Sequence, residues 1–212
     1  MNKLVFALLM TLFVVVLPLI GNPPLLLTFK AIMIAITGML LLLTQPKFTV
    51  TETKENRNTD KNSVLLIIGA TCFCVIIAEI EWAYWGIPSV QLDPLSVLGL
   101  AMMLGGIGFR IWAIRTMGRN FTATVRIKKE HQLIKTGPYA IVRHPSYTGA
   151  FLMIAGIAVF LESVFSIFLT IFLLTIVYYI RIRSEEKVLV EHFGDIYTSY
   201  ARDKKKLFPF IW

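Results

Sequence analysis

The sequence predicts an all-α, polytopic integral membrane protein with about six transmembrane helices, ending in a helical hairpin and a helical extension beyond the membrane. Three observations carry that prediction. Hydrophobic residues make up 56% of the 212 positions and charged residues only 16%, whereas soluble domains typically carry about 25% charged residues. Six apolar runs are separated by polar connections. Lys and Arg are also present in alternate connections and absent from those between.

In chain order the apolar runs cover 4–20, 25–44, 64–78 with an aromatic extension to Trp85, 95–117, 147–161 and 164–182. A hydrocarbon core of about 30 Å takes roughly 20 helical residues, so several runs suffice alone and the fifth borrows flanking residues. The first run follows Lys3 without a small-x-small cleavage site before Asn22-Pro23-Pro24, and reads as an uncleaved span rather than a signal peptide. Lys30 lies one turn inside the second run, where its amine is expected to snorkel outward. Cys72 and Cys74, the only cysteines, are about 200° apart on a helix and read as packing residues rather than as a disulfide or metal pair. Glu79 and Glu81 adjoin the aromatic belt of Trp82, Tyr84 and Trp85 and are expected to be structural. In the fourth run, Gly105, Gly106 and Gly108 interrupt an apolar helix with no preceding strand, so they predict close helix packing rather than a nucleotide loop.

Lys3, the 47–61 connection, the 119–143 connection and the C-terminus are basic; 21–24, 86–94 and the Glu162-Ser163 turn carry neither Lys nor Arg. Under the positive-inside rule this predicts six spans with both termini cytoplasmic. The formal net charge of +8 then reports topology and attraction to anionic membrane lipids, not nucleic-acid binding. The three histidines, at 131, 144 and 192, have no metal-ligand spacing, so no metal is expected. The chain divides into four spans over 1–117 and a chemistry-bearing region over 118–212, together forming one integrated membrane domain.

That second region holds the informative motifs. Gly137-Pro138-Tyr139 sets a turn, and Arg143-His144-Pro145-Ser146-Tyr147 opens the fifth run, with Pro145 suited to a helix's first turn. Arg143 and His144 then sit near a helix N-terminus that favours anions. After the hairpin, Arg181 and Glu185 share a helix face at i, i+4 with Glu186 adjacent, and Phe193-Gly194-Asp195-Ile196-Tyr197 follows. By itself an acidic pair is as readily a solvated helix face.

In identity and spacing these residues, from about Gly118 to Pro209, resemble the isoprenylcysteine carboxyl methyltransferase family and the related phospholipid N-methyltransferases. The resemblance implies an S-adenosylmethionine-dependent membrane methyltransferase acting on a lipophilic or prenylated acceptor. It implies a cofactor pocket from His131, Leu133, Gly137, Tyr139, His144, Tyr147, Glu185 and Glu186, with Arg143 and Arg181 orienting the acceptor. It further implies that Tyr197, Tyr200 and Leu207-Phe208-Pro209 pack the C-terminus against the core. Arg183 and Ser184 stand where some members carry Pro and Lys. Two other classes use different residues: a sterol-reductase-type membrane reductase would bind NADPH phosphates around 126–129, and a lipid-binding or transport protein would use Lys30, Glu79 and Glu81.

Overall fold

The computed structural model of the protein describes residues 3–45, 59–121 and 133–209, and every regular element among them is helical. The α-helices are α1 (Lys3–Thr11), α2 (Phe29–Thr44), α3 (Thr59–Tyr84), α4 (Pro94–Met117), α5 (Pro145–Phe160), α6 (Val164–Phe193) and α7 (Asp195–Asp203). A π-turn over Leu12–Val16 extends α1, and a 3-10 turn over Pro23–Leu27 precedes α2.

Three helices are long and apolar enough to cross a membrane: Ser63–Tyr84 of α3, α4 and α6. The apolar stretches Lys3–Val16, Phe29–Thr44 and Pro145–Phe160 are shorter. At 1.5 Å per residue the 30-residue α6 is about 45 Å long, roughly 15 Å more than a hydrocarbon core. That excess carries Glu185 and Glu186 clear of the apolar run.

Local chemistry fixes the helix ends. Asp93 accepts a 2.7 Å bond from the Ser96 amide while Pro94 starts α4, an acidic N-cap followed by the residue that needs no N–H partner. Gly118 and Gly194 terminate α4 and α6 at φ +57° and +52°, backbone that glycine adopts without penalty. The start of α6 is capped from another helix. Glu81 of α3 accepts bonds from the Phe165 amide (2.9 Å), the Ser166 amide (2.8 Å) and the Ser166 hydroxyl (2.6 Å). Glu81 is thus a structural residue, as its sequence context suggests. Glu79 is fully buried, and neither carboxyl oxygen has a hydrogen-bond partner among the described residues.

The core centres on α5, which is buried along nearly its whole length; a helix surrounded on all sides is apolar all round. Gly106 of α4 faces Gly149 of α5, where a Cβ on Gly106 would come within 2.6 Å of the Gly149 carbonyl oxygen. Gly99 and Gly156 form a second crossing nearer the hairpin. The predicted glycine packing therefore belongs to Gly106, because Gly105 and Gly108 face open space. Lys30 departs from expectation: its side chain is fully buried and its Nζ pairs with Glu162 at 2.6 Å, tying α2 to the α5–α6 turn. Glu162 also accepts a 2.9 Å bond from Ser96.

Candidate active site

At the end of the bundle opposite that turn, four separate pieces of chain meet. Residues Gly137–Ala140 form a 3-10 turn that starts at φ +59°, and a Cβ on Gly137 would lie 3.2 Å from Thr116 Oγ1. The following strand-like stretch lies alongside the C-terminal segment, with the Arg143 amide donating to the Lys205 carbonyl (2.9 Å) and the His144 amide to the Lys206 carbonyl (3.0 Å). Thr148 continues the seam through a 2.8 Å bond to the Leu207 carbonyl. Phe208 meets Phe151 edge to face, and the Tyr200 hydroxyl donates 2.7 Å to the Tyr139 carbonyl. The C-terminal tyrosines and Leu-Phe-Pro ending thus hold the Arg-His-Pro segment in place.

The two adjacent acids separate into different networks, since neighbouring helical residues point about 100° apart. Glu186 Oε1 lies 3.1 Å from Arg143 Nη2 and 3.2 Å from His144 Nε2, and accepts a 3.2 Å bond from the Tyr197 hydroxyl. Its Oε2 is 3.7 Å from Lys206 Nζ. Burial would raise this carboxyl, but the His144 hydrogen bond and the charges of His144, Arg143 and Lys206 outweigh it and hold Glu186 below the usual glutamate range. The Tyr197 phenol is driven upward by burial and by the Glu186 charge.

Glu185 Oε2 accepts a 2.9 Å bond from the Tyr147 hydroxyl and lies 3.9 Å from Arg181 Nε. Arg181 donates to that hydroxyl at 3.1 Å and to Ser63 Oγ at 2.8 Å, drawing α3 into the cluster. The His144 ring stacks on Tyr147 at 5.8 Å, and Tyr147 packs on Tyr178 at 5.3 Å. Of the two acids Glu185 is the more open, 26% exposed against 16% for Glu186.

The structure therefore brings together Arg143, His144, Tyr147, Arg181, Glu185 and Glu186. Tyr139 is buried beside them, its hydroxyl 3.4 Å from the Ala113 carbonyl. Among the described residues no hydrogen bond, ion pair or ring contact joins Leu133 or Gly137 to either acid. His131, like 126–129, lies outside the described residues. Arg110 of α4 was not singled out by sequence reasoning, although an arginine inside an apolar run is itself a signal. It is 3% exposed, donating 2.9 Å to the Ser146 carbonyl and 3.2 Å to Thr44 Oγ1, with its guanidinium 5.9 Å from the Phe121 ring. No carboxylate pairs with it among the described residues. Arg143 and Arg181, in contrast, each have one.

A model of the isoprenylcysteine carboxyl methyltransferase (ICMT) family matches residues 97–191, which contain nearly all of this cluster. The likeness to the isoprenylcysteine carboxyl methyltransferase family thus lies in the segment that carries the cluster. The protein-S-isoprenylcysteine O-methyltransferase of Saccharomyces cerevisiae is 39% identical over 118 residues, covering 55% of this chain and 49% of that protein. The human protein of the same name is 37% identical over 125 residues, 57% of this chain and 43% of that one. The match thus spans about half the length of these methyltransferase relatives. Among solved structures, the eukaryotic intramembrane Ras methyltransferase ICMT superposes with a TM-score of 0.59 at 26% identity, covering 94% of this chain and 73% of that chain. The lipid-transport alternative is weakened by geometry, because Lys30 is spent on Glu162 and Glu81 on the α6 cap.

Proposed function

We propose that this protein is an S-adenosylmethionine-dependent methyltransferase that esterifies the carboxylate of a lipophilic, prenylcysteine-type acceptor. The observation that carries the reading is Arg110. A guanidinium buried at the junction of α2, α4 and α5, with only neutral partners among the described residues, bears a desolvation cost that an anionic ligand would offset. Arg143 and Arg181, the residues expected from the motif to orient the acceptor, are already engaged by Glu186 and Glu185. Arg110 thus takes the acceptor carboxylate, and Arg181 assists from the Tyr147–Glu185 side.

The residues present suit the cofactor. Glu185, the more open carboxylate, would accept the ammonium or ribose hydroxyls, with His144, Tyr147 and Tyr139 enclosing it and Glu186 fixing His144 in place. When bound, S-adenosylmethionine supplies a sulfonium methyl already activated for displacement. The chain's own task is then alignment and exclusion of water, which the apolar faces of Tyr147, Tyr178 and Phe151 provide. A carboxylate acceptor needs no general base. On the topology the loop charges favour, six spans with cytoplasmic termini, the cluster lies on the cytosolic side, where a soluble cofactor reaches it while the acceptor arrives from the bilayer.

The test is initial-rate transfer of labelled methyl from S-adenosylmethionine to N-acetyl-S-farnesylcysteine, a prenylated thiol and a phospholipid amine, from pH 6 to 8. Carboxyl transfer is expected at a rate flat across that range, since the acceptor is ionised well below it, near pH 4. Product found only as a thioether or methylated amine, with a rate climbing with pH, would overturn the carboxyl assignment. Absence of S-adenosylmethionine binding would overturn the methyltransferase reading itself.

A further inference from the structure

On the outer side of α6, away from the Tyr147 network, two cations from different parts of the chain converge on one tyrosine. Lys206 Nζ sits 5.6 Å from the centre of the Tyr179 ring, and Arg183 Nη1 lies 3.5 Å from the Tyr179 hydroxyl. Tyr179 is 45% exposed and neighbouring Ile180 46%. The apolar run of α6 ends at Ile182, so this group occupies the level where the hydrocarbon gives way to headgroups. Tyrosine, arginine and lysine all favour that level, keeping apolar stems in lipid and polar ends in the interface.

The charge around Tyr179 is one-sided. Arg183 has no carboxylate partner among the described residues, and the nearest acid to Lys206, Glu186, is 3.7 Å away and already shared with Arg143 and His144. A zwitterionic headgroup would bring an ammonium with no unshared acid among the described residues to receive it. A phosphate with no balancing cation fits instead: arginine offers a planar fork to its oxygens and lysine a point charge.

We propose that Arg183, Tyr179 and Lys206 form a binding site for the headgroup phosphate of an anionic phospholipid, adjoining the Glu185–Glu186 cluster through Lys206. The site does not depend on the methyltransferase reading, because lipid retention can be measured without turnover.

The experiment reconstitutes the full chain in nanodiscs of phosphatidylcholine with 20% phosphatidylglycerol and counts retained lipids by native mass spectrometry. Wild type is expected to retain phosphatidylglycerol over phosphatidylcholine, and Arg183→Gln to cut that preference by roughly five-fold, the contribution typical of one interfacial cation. Lys206→Gln should act in the same direction. Arg183 is exposed and forms no ion pair with Glu186 among the described residues, so its variant separates lipid binding from damage to the cluster. Lys187→Gln, one turn further from the hydrocarbon, should leave the preference intact. Equal retention of both lipids by wild type would overturn the proposal, as would a preference unchanged in both Arg183→Gln and Lys206→Gln.

Discussion

Replacing Gly149 by alanine tests whether the α4–α5 crossing sets the geometry of the cluster. The new Cβ would lie 2.5 Å from the Gly106 carbonyl oxygen, 2.7 Å from the Arg110 amide nitrogen and 2.8 Å from Arg110 Cβ. Two of these three obstacles are backbone and cannot rotate away. Restoring ordinary contact near 3.5 Å requires the helices to part by roughly 1 Å. The 2.9 Å bond from Arg110 to the Ser146 carbonyl, one turn away on α5, would then stretch beyond hydrogen-bonding range. Overpacking of this kind costs about 1–3 kcal/mol, and a 1 Å misplacement of an orienting group lowers turnover by up to roughly 100-fold. Thermal unfolding in detergent and labelled-methyl transfer read the two effects separately. Gly105→Ala and Gly108→Ala are the controls, because nothing lies within 4 Å of either position; a better helix former there should be neutral or slightly stabilising. Unchanged melting and turnover in Gly149→Ala, or equal damage from Gly105→Ala, would refute the reasoning.

Arg110→Met removes a buried cation while keeping an unbranched side chain; it should abolish carboxyl methylation while leaving the melting temperature within a few degrees of wild type or above it. Glu81→Ala, which uncaps α6, should lower stability by about 0.5–2 kcal/mol in the same melts, with Glu81→Gln intermediate. Lys30→Met should destabilise, by less than the about 3–5 kcal/mol of a fully buried pair because Glu162 is 25% exposed and keeps its bond from Ser96, and the Lys30→Met/Glu162→Met double variant should recover part of that loss. Glu186 has a lowered folded pKa, so its stabilisation is present above the ordinary glutamate value near pH 4.3 and is lost as pH falls through the folded value. The melting difference between wild type and Glu186→Gln should accordingly be constant from pH 6 to 8 and shrink in acid below about pH 4.

The helices were legible because each apolar run, Pro94 after Asp93, and the glycines at 118 and 194 are local signals. The Arg-His-Pro-Ser-Tyr and Glu-Glu segments also announced that they would meet, since a hairpin returns its two ends to one surface. What could not be read was long-range pairing. Lys30 finds Glu162 across 132 residues, and Glu81 caps a helix 85 residues further on. No pattern within α2 or α6 encodes either partner. Lys30 was expected to reach water, yet a half-buried partner at the hairpin turn proved closer. Arg110 was missed for a related reason, because its acceptors are Thr44 and the Ser146 carbonyl, and neither a hydroxyl nor a backbone oxygen stands out in sequence. The Glu185-Glu186 pair looked like one feature and is two, since 100° of helical rotation sends one acid to Tyr147 and the other to His144.

That division of labour bears on how the site balances charge. Within the folded chain Glu186 answers Arg143 and Glu185 answers Arg181, so these pairs are complete before any ligand arrives and serve to hold His144 and Tyr147 in position. Arg110 has no carboxylate partner among the described residues. A protein optimised for stability alone would replace such a residue, because well-packed apolar groups do as well as a buried ion or better. Retaining it makes physical sense where the missing anion is the ligand. On the proposed reading the carboxylate to be esterified is held by the guanidinium that has no carboxylate partner among the described residues, and esterification, which removes the carboxylate's charge, also removes the reason for the product to stay.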